Sequence, residues 1–185
     1  GGAAIANAIQ ISRTNNSGVG GAVNADRNLT FTQGNYQFIQ NTATGGNATT
    51  TGTGGMAEAN DSALGGAIFT TFVIKFQDGN YLFDGNKVIG GNADNSGGKA
   101  DAHYSARGGA IYSNNYADFN NGTYQFINNQ AIGGDALNQV SGGTADTSQS
   151  GLGGAIAATS NLNFLDGQYT FSNNQAIGGK AEQPL

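Results

Sequence analysis

The chain has 185 residues, 32 of them glycine, with no cysteine, one proline and a formal net charge of −5. Seven Lys and Arg supply no basic stripe, which argues against nucleic acid as a partner. The absence of Cys excludes thiol catalysis, disulfides and cysteine-based zinc sites.

Residues 1–19 form an N-terminal segment in which Ala3 to Ile11 reads as strand, with Ile5, Ile9 and Ile11 available for burial. From Gly20 onward the chain repeats. Gly20-Gly21-Ala22-Val23 is answered eighteen residues later by Phe38 and then Asn41, and Gly65-Gly66-Ala67-Ile68 by Phe83 and Asn86. Gly108-Gly109-Ala110-Ile111 is answered by Phe126 and Asn129, and Gly153-Gly154-Ala155-Ile156 by Phe171 and Asn174. The period is 45, 43 and 45 residues, giving repeats at 20–64, 65–107, 108–152 and 153–185 of one domain spanning 1–185. A fixed period of this size marks a stacked array of supersecondary units. Abundant Gly and Asn disfavour helix, since an interior Gly costs about 1 kcal/mol relative to Ala.

Three short strands are predicted within each repeat. The first is the Ala-Ile or Ala-Val after Gly-Gly; the second ends in Phe31, Phe76, Phe119 or Phe164. The third is Tyr-x-Phe, as in Tyr81 and Phe83. Between the second and third stands a turn with Gly34, Gly79, Gly122 or Gly167, mostly preceded by Asp or Asn. Alone, this pattern fits an antiparallel hairpin. Repeated four times, it fits one circuit of a solenoid, with equivalent strands stacked in parallel about 4.8 Å apart. The Phe residues then form two aromatic stacks inside the coil, and the Asn residues pair along a corner, where they satisfy buried polar groups. The paired glycines let the chain turn that corner without a Cβ.

The segments 47–64, 92–107 and 135–152 bridge one repeat to the next and vary in length. Each carries a second Gly-Gly, then Ala and an acid (Glu58, Asp101, Asp146), and Ser17, Ser62, Ser105 and Ser150 stand three residues before each Gly-Gly-Ala. Two readings are open: a weakly apolar second coil, or an ordered ledge beside the first.

The Gly-Gly-Ala-[Ile/Val] and Phe-x-x-Asn pairs over residues 20–179 resemble the repeats of polymorphic outer-membrane proteins and of autotransporter passengers. The resemblance implies a right-handed parallel β-helix, a cell-surface or secreted location, and adhesive or structural work.

Chemistry beyond this is sparse. The acids are scattered over turns and strand exteriors, and His103 is the only His, so neither a catalytic residue nor a metal or cofactor site is expected. No apolar run approaches the roughly 18 residues that span a bilayer. The chain opens without a charged region and apolar stretch, so an export signal is expected to have been removed. Neither end breaks the repeat as a polar cap would: Gly178-Gly179-Lys180-Ala181-Glu182 begins another bridging segment, and Gly1-Gly2-Ala3-Ala4 lies at nearly the same phase. The expectation is a secreted structural protein, not an enzyme, stacking on itself head to tail, with Ile5, Ile9, Ile11 and Leu185 at the contact. The alternatives are a monomeric adhesin module that engages a host or neighbouring cell surface, and a carbohydrate-binding or carbohydrate-active β-helix.

Overall fold

The computed structural model describes residues 2–6 and 11–184, and among them every regular element is a strand. No helix is long and apolar enough to cross a membrane among these residues. The strands pair only in parallel, each with the strand one repeat away, and build six sheets that run the length of a parallel β-helix. One 45-residue repeat is therefore one coil.

The second coil illustrates the path: Ile68–Thr70, Ile74–Asp84, Lys87–Ile89, Ala93–Asn95, Lys99–Asp101 and Ala106–Arg107, one strand in each of the six sheets. Two expectations are corrected by this path. The second and third predicted strands are one 11-residue strand, as in Ile74–Asp84, that bends at Asp78-Gly79 and pairs in parallel, so the hairpin does not occur. The positive φ at the bend falls on the residue before glycine: Gln33 (49°), Asp78 (50°), Asn121 (45°) and Asp166 (33°). Asn and Asp tolerate that conformation because the short side chain bonds locally.

The bridging segments form neither a second coil nor a separate ledge. They supply three of the six strands of the same coil and fold back on themselves as its narrow lobe. Its core is almost pure alanine: Ala48, Ala57, Ala59, Ala93, Ala100, Ala102 and Ala136 are at most 1% exposed. Thr50, Asn95 and Asn138 are the larger side chains buried beside these methyl groups. The broad lobe holds the large side chains, among them Ile68, Ile74, Phe76, Tyr81 and Phe83 in the second coil.

In the broad lobe like stacks on like. Phe31, Phe76, Phe119 and Phe164 form one column with ring centroids 5.0–5.1 Å apart. Phe38, Phe83, Phe126 and Phe171 form a second, at 4.8–4.9 Å. A third column, of Tyr36, Tyr81, Tyr124 and Tyr169, stands beside the two expected ones. Rings within a column are near parallel, and the Phe76 ring meets Phe83 and Tyr81 edge-on. Both are favoured geometries, worth about 0.5–1.5 kcal/mol per pair beyond area burial. The Tyr81 hydroxyl lies 2.8 Å from Gln77 O and 3.2 Å from Phe31 O, so the phenol also ties the bend to the previous coil.

Corners are closed by side-chain ladders. Asn41, Asn86, Asn129 and Asn174 stack so that each Nδ2 donates to Oδ1 of the next, at 2.9–3.0 Å. The same Oδ1 accepts the backbone N–H of the preceding Asn, and the second Nδ2 proton goes to a Phe carbonyl of the coil before. Asn86 and Asn129 are fully buried with these polar atoms paired. The Ser residues do the equivalent work at the waist between the lobes. Ser62 Oγ accepts the Gly91 N–H at 2.8 Å and donates to Ser105 O, and Ser105 repeats this with Gly134 and Ser150. Each ladder residue follows a left-handed one, such as Asn128 (φ 55°) before Asn129 or Tyr104 (φ 51°) before Ser105.

The glycines of Gly-Gly-Ala divide their labour. Gly65 takes φ +64°, whereas a Cβ on Gly66 would collide with the Gly109 carbonyl of the next coil and the Lys87 backbone across the wall. Conformation requires the first glycine and close approach the second.

The ladders and the columns are each open to a stability measurement. Asn129→Ala strands the Asn86 N–H groups and the Phe83 carbonyl in a buried site, and should cost roughly 3 kcal/mol or more at 1–3 kcal/mol per unpaired group. Asn41→Ala leaves only one acceptor on Asn86 and should cost about 1 kcal/mol by the same rule; equal urea midpoints for the two variants would contradict the ladder. Burial raises the pKa of Tyr81 and Tyr124 above that of a free phenol. The unfolded chain then loses these protons first, from about pH 10. The contribution of these two phenols to thermal stability should hold constant below that pH and fall above it, with part of the tyrosinate absorbance appearing only on unfolding; a melting temperature unchanged well above pH 10 would refute this.

Candidate interface: the two ends of the coil

Each coil covers its neighbour, and among the described residues the first and last coils each present one face that no coil covers. At the C-terminal end Phe164 and Phe171 are 41% and 49% exposed, where Phe119 and Phe126 in the same columns are fully buried. With Ile156, Leu162 and Asn174 they line an open recess of about 480 Å³ over the aromatic core. At the N-terminal end Leu29, Phe31 and Tyr36 are half-buried, whereas their counterparts Ile74, Phe76 and Tyr81 in the second coil are buried.

The polar groups at these faces have a direction. Along the Asn ladder donors point towards higher residue numbers. Asn174 accepts from Asn129 and gives one proton to Phe126 O, and its backbone N–H and second Nδ2 proton have no acceptor among the described residues. Asn41, at the other end, donates to Asn86 while its Oδ1 receives nothing among them. The remaining side-chain contacts run the other way, each donating to the coil before. Each Asn amide bonds the Phe carbonyl of the coil before, which leaves Phe171 O open. Tyr81, Tyr124 and Tyr169 reach back to Phe31, Phe76 and Phe119, which among the described residues leaves Phe164 O open and Tyr36 with only the Thr32 carbonyl, at 3.3 Å. Each group left open at one end has its complement open at the other, in a matched position.

The anticipated contact residues are distributed unevenly. Ile5 lies in the strand Ala4–Ala6, level with Thr49. Ile9 and Leu185 lie outside the described residues. Ile11 is not buried in its own chain: it is 59% exposed, because Ser12 takes the inward position of Ile11–Arg13 and donates to Ala4 O at 2.7 Å.

Other clusters are explained by local structure. Ligand atoms of Asp101, His103 and Asp146 lie within 4.8 Å of one another. Asp101 pairs with Lys99 at 2.6 Å and accepts the His103 N–H, while Asp146 accepts both the N–H and the hydroxyl of Ser148. The Ser148 bonds hold the Asp146 pKa below its ordinary value. These are turn-capping carboxylates, each repeated one coil apart. Arg107 breaks a column otherwise made of Val19, Leu64 and Leu152. It lies between the rings of Tyr104 and Tyr112, 4.5 and 5.1 Å from their centroids, and pairs with Asp61. Burial lowers its pKa and raises that of Tyr112. Nothing in the repeat marks this position, so sequence reasoning had no signal by which to find it.

No protein-family model, curated protein or solved structure matches the chain. The capacity of the ends therefore rests on their geometry alone.

Proposed function

We propose that this protein is an extracellular structural protein whose β-helical subunits stack head to tail into a filament or matrix fibre. One observation carries the reading: the donors lacking acceptors at Asn174 and the open carbonyls of Phe164 and Phe171 match the open Asn41 Oδ1 and the donors of Tyr36 and Asn41. A second copy on the last coil continues every column in register, Phe31 on Phe164, Tyr36 on Tyr169, Phe38 on Phe171 and Asn41 on Asn174. The contact joins two different surfaces and does not close on itself, which generates filaments. Each exposed Phe covered in this way contributes part of the roughly 1.5–3 kcal/mol of full burial. Net charge of the same sign on every subunit makes assembly salt-sensitive, with added salt favouring it.

The same faces also suit further coils of a longer chain. The resemblance of the Gly-Gly-Ala and Phe-x-x-Asn motifs to bacterial surface-protein repeats favours that second reading, in which this chain is a module of an adhesin.

Electron microscopy and sedimentation of the purified 185-residue protein decide between them. The filament reading expects rods that lengthen with concentration. In Phe171→Asp, a carboxylate on the last column should leave a folded, strand-rich monomer. A wild-type protein that stays monomeric at millimolar concentration, or a Phe171→Asp variant that assembles normally, would sink the filament reading.

A further inference from the structure

Among the described residues five of the six sheets have four strands, and one has five: Ala4–Ala6, Ala48–Thr50, Ala93–Asn95, Ala136–Asn138 and Ala181–Glu182. In that sheet Ala4, Ala48, Ala93, Ala136 and Ala181 stand level, one coil apart. The extra strand matters only where two copies meet, so its role rests on the filament reading.

When the incoming copy lays Ile11–Arg13 on Thr144–Asp146 and Leu29–Ile39 on Leu162–Ser172, the other sheets each continue with one strand per level. The incoming Ala4–Ala6 precedes Ile11–Arg13 in the same coil, so it arrives at the level already held by Ala181–Glu182. Two strands then compete for one position, over Ala136–Asn138 of one copy and under Ala48–Thr50 of the next.

We propose that Ala4–Ala6 of the incoming copy takes this position and displaces Ala181–Glu182, so that each junction is a strand exchange. Three observations favour that occupant. Ala4–Ala6 pairs through three residues in this sheet, whereas Ala181–Glu182 pairs through two. The register places Pro184 beside Gln139, whose own N–H bonds Asn95 O at 2.9 Å; proline cannot repeat that bond to Asn138. The exchange also sets Ile5 level with the 37%-exposed Leu137, where Glu182 now stands. Adding a strand to a free sheet edge is an established mode of joining chains.

The subunit rise in filaments of the full chain, measured by electron cryo-microscopy, reads this out directly. Exchange leaves four levels per subunit, a rise of about 19 Å at about 4.8 Å per level. If both strands stay, the fifth level holds the copies apart and the rise is about 24 Å. A rise of about 24 Å overturns the exchange and leaves the filament reading intact, whereas a chain that forms no filament removes that reading itself. The choice of occupant is tested by two shortened chains. One ending at Gly179 should assemble at least as fast as the full chain, its competitor strand being gone; one beginning at Asn7 should assemble more slowly. The opposite pair of results would assign the position to Ala181–Glu182.

Discussion

Everything in this molecule depends on one constraint: each residue sits about 4.8 Å from its counterpart one coil away, so it must tolerate its own kind as a neighbour. Phe and Tyr rings stack, Asn amides pair donor to acceptor, Ser hydroxyls bond from coil to coil, and Gly and Ala permit close approach. A like charge in the same place repels its copy. That accounts for a composition with 32 Gly and only 10% charged residues. Where acids do recur, at Glu58, Asp101 and Asp146, cations or turn donors accompany them: Arg13 on Glu58, Lys99 on Asp101, and the Ser148 N–H and hydroxyl on Asp146.

The constraint also decides what could be read from the sequence. Residues that must match their copies leave a period, and the Gly-Gly-Ala and Phe-x-x-Asn positions carried the parallel solenoid and its two Phe columns. The Tyr column was equally periodic, but its hydroxyl bonds to the previous coil depend on a bend visible only in three dimensions. Ser62, Ser105 and Ser150 were conspicuous by position, yet their partners Gly91, Gly134 and Gly179 lie 29 residues away in sequence, across the waist of the coil. The narrow lobe was the least legible part. Its strands are two or three residues long and its core is alanine, which leaves neither an alternation nor a strong apolar signal. Ile11 shows the opposite failure: a strongly apolar residue that the strand's phase turns outward.

Ladders have a direction, and the candidate interface inherits it. A stack of identical rings is indifferent to which face is up, but Asn-to-Asn and Tyr-to-carbonyl bonds are not. They leave Asn174 donors and Phe carbonyls open on the last coil and their complements at Asn41 and Tyr36 on the first, so continuation in one orientation alone satisfies both. The Phe columns supply apolar area at this junction, and the ladders set its polarity and register. The features that hold coil to coil within the chain are those offered at its ends.

The most direct measurement uses the absence of native cysteine. Gln37 and Thr170 are exposed positions of one column, separated within a chain by Leu82 and Gln125, and hence by three levels or about 14 Å. That distance is too long for a disulfide inside one chain, whereas adjacent levels lie within the usual 4.4–6.8 Å Cα range. Head-to-tail continuation predicts that the Gln37→Cys, Thr170→Cys double variant, once oxidised, runs as a ladder of covalent multimers on a denaturing gel, with each single variant remaining monomeric. A double variant that yields no multimers while its cysteines stay accessible to thiol reagents would contradict the account.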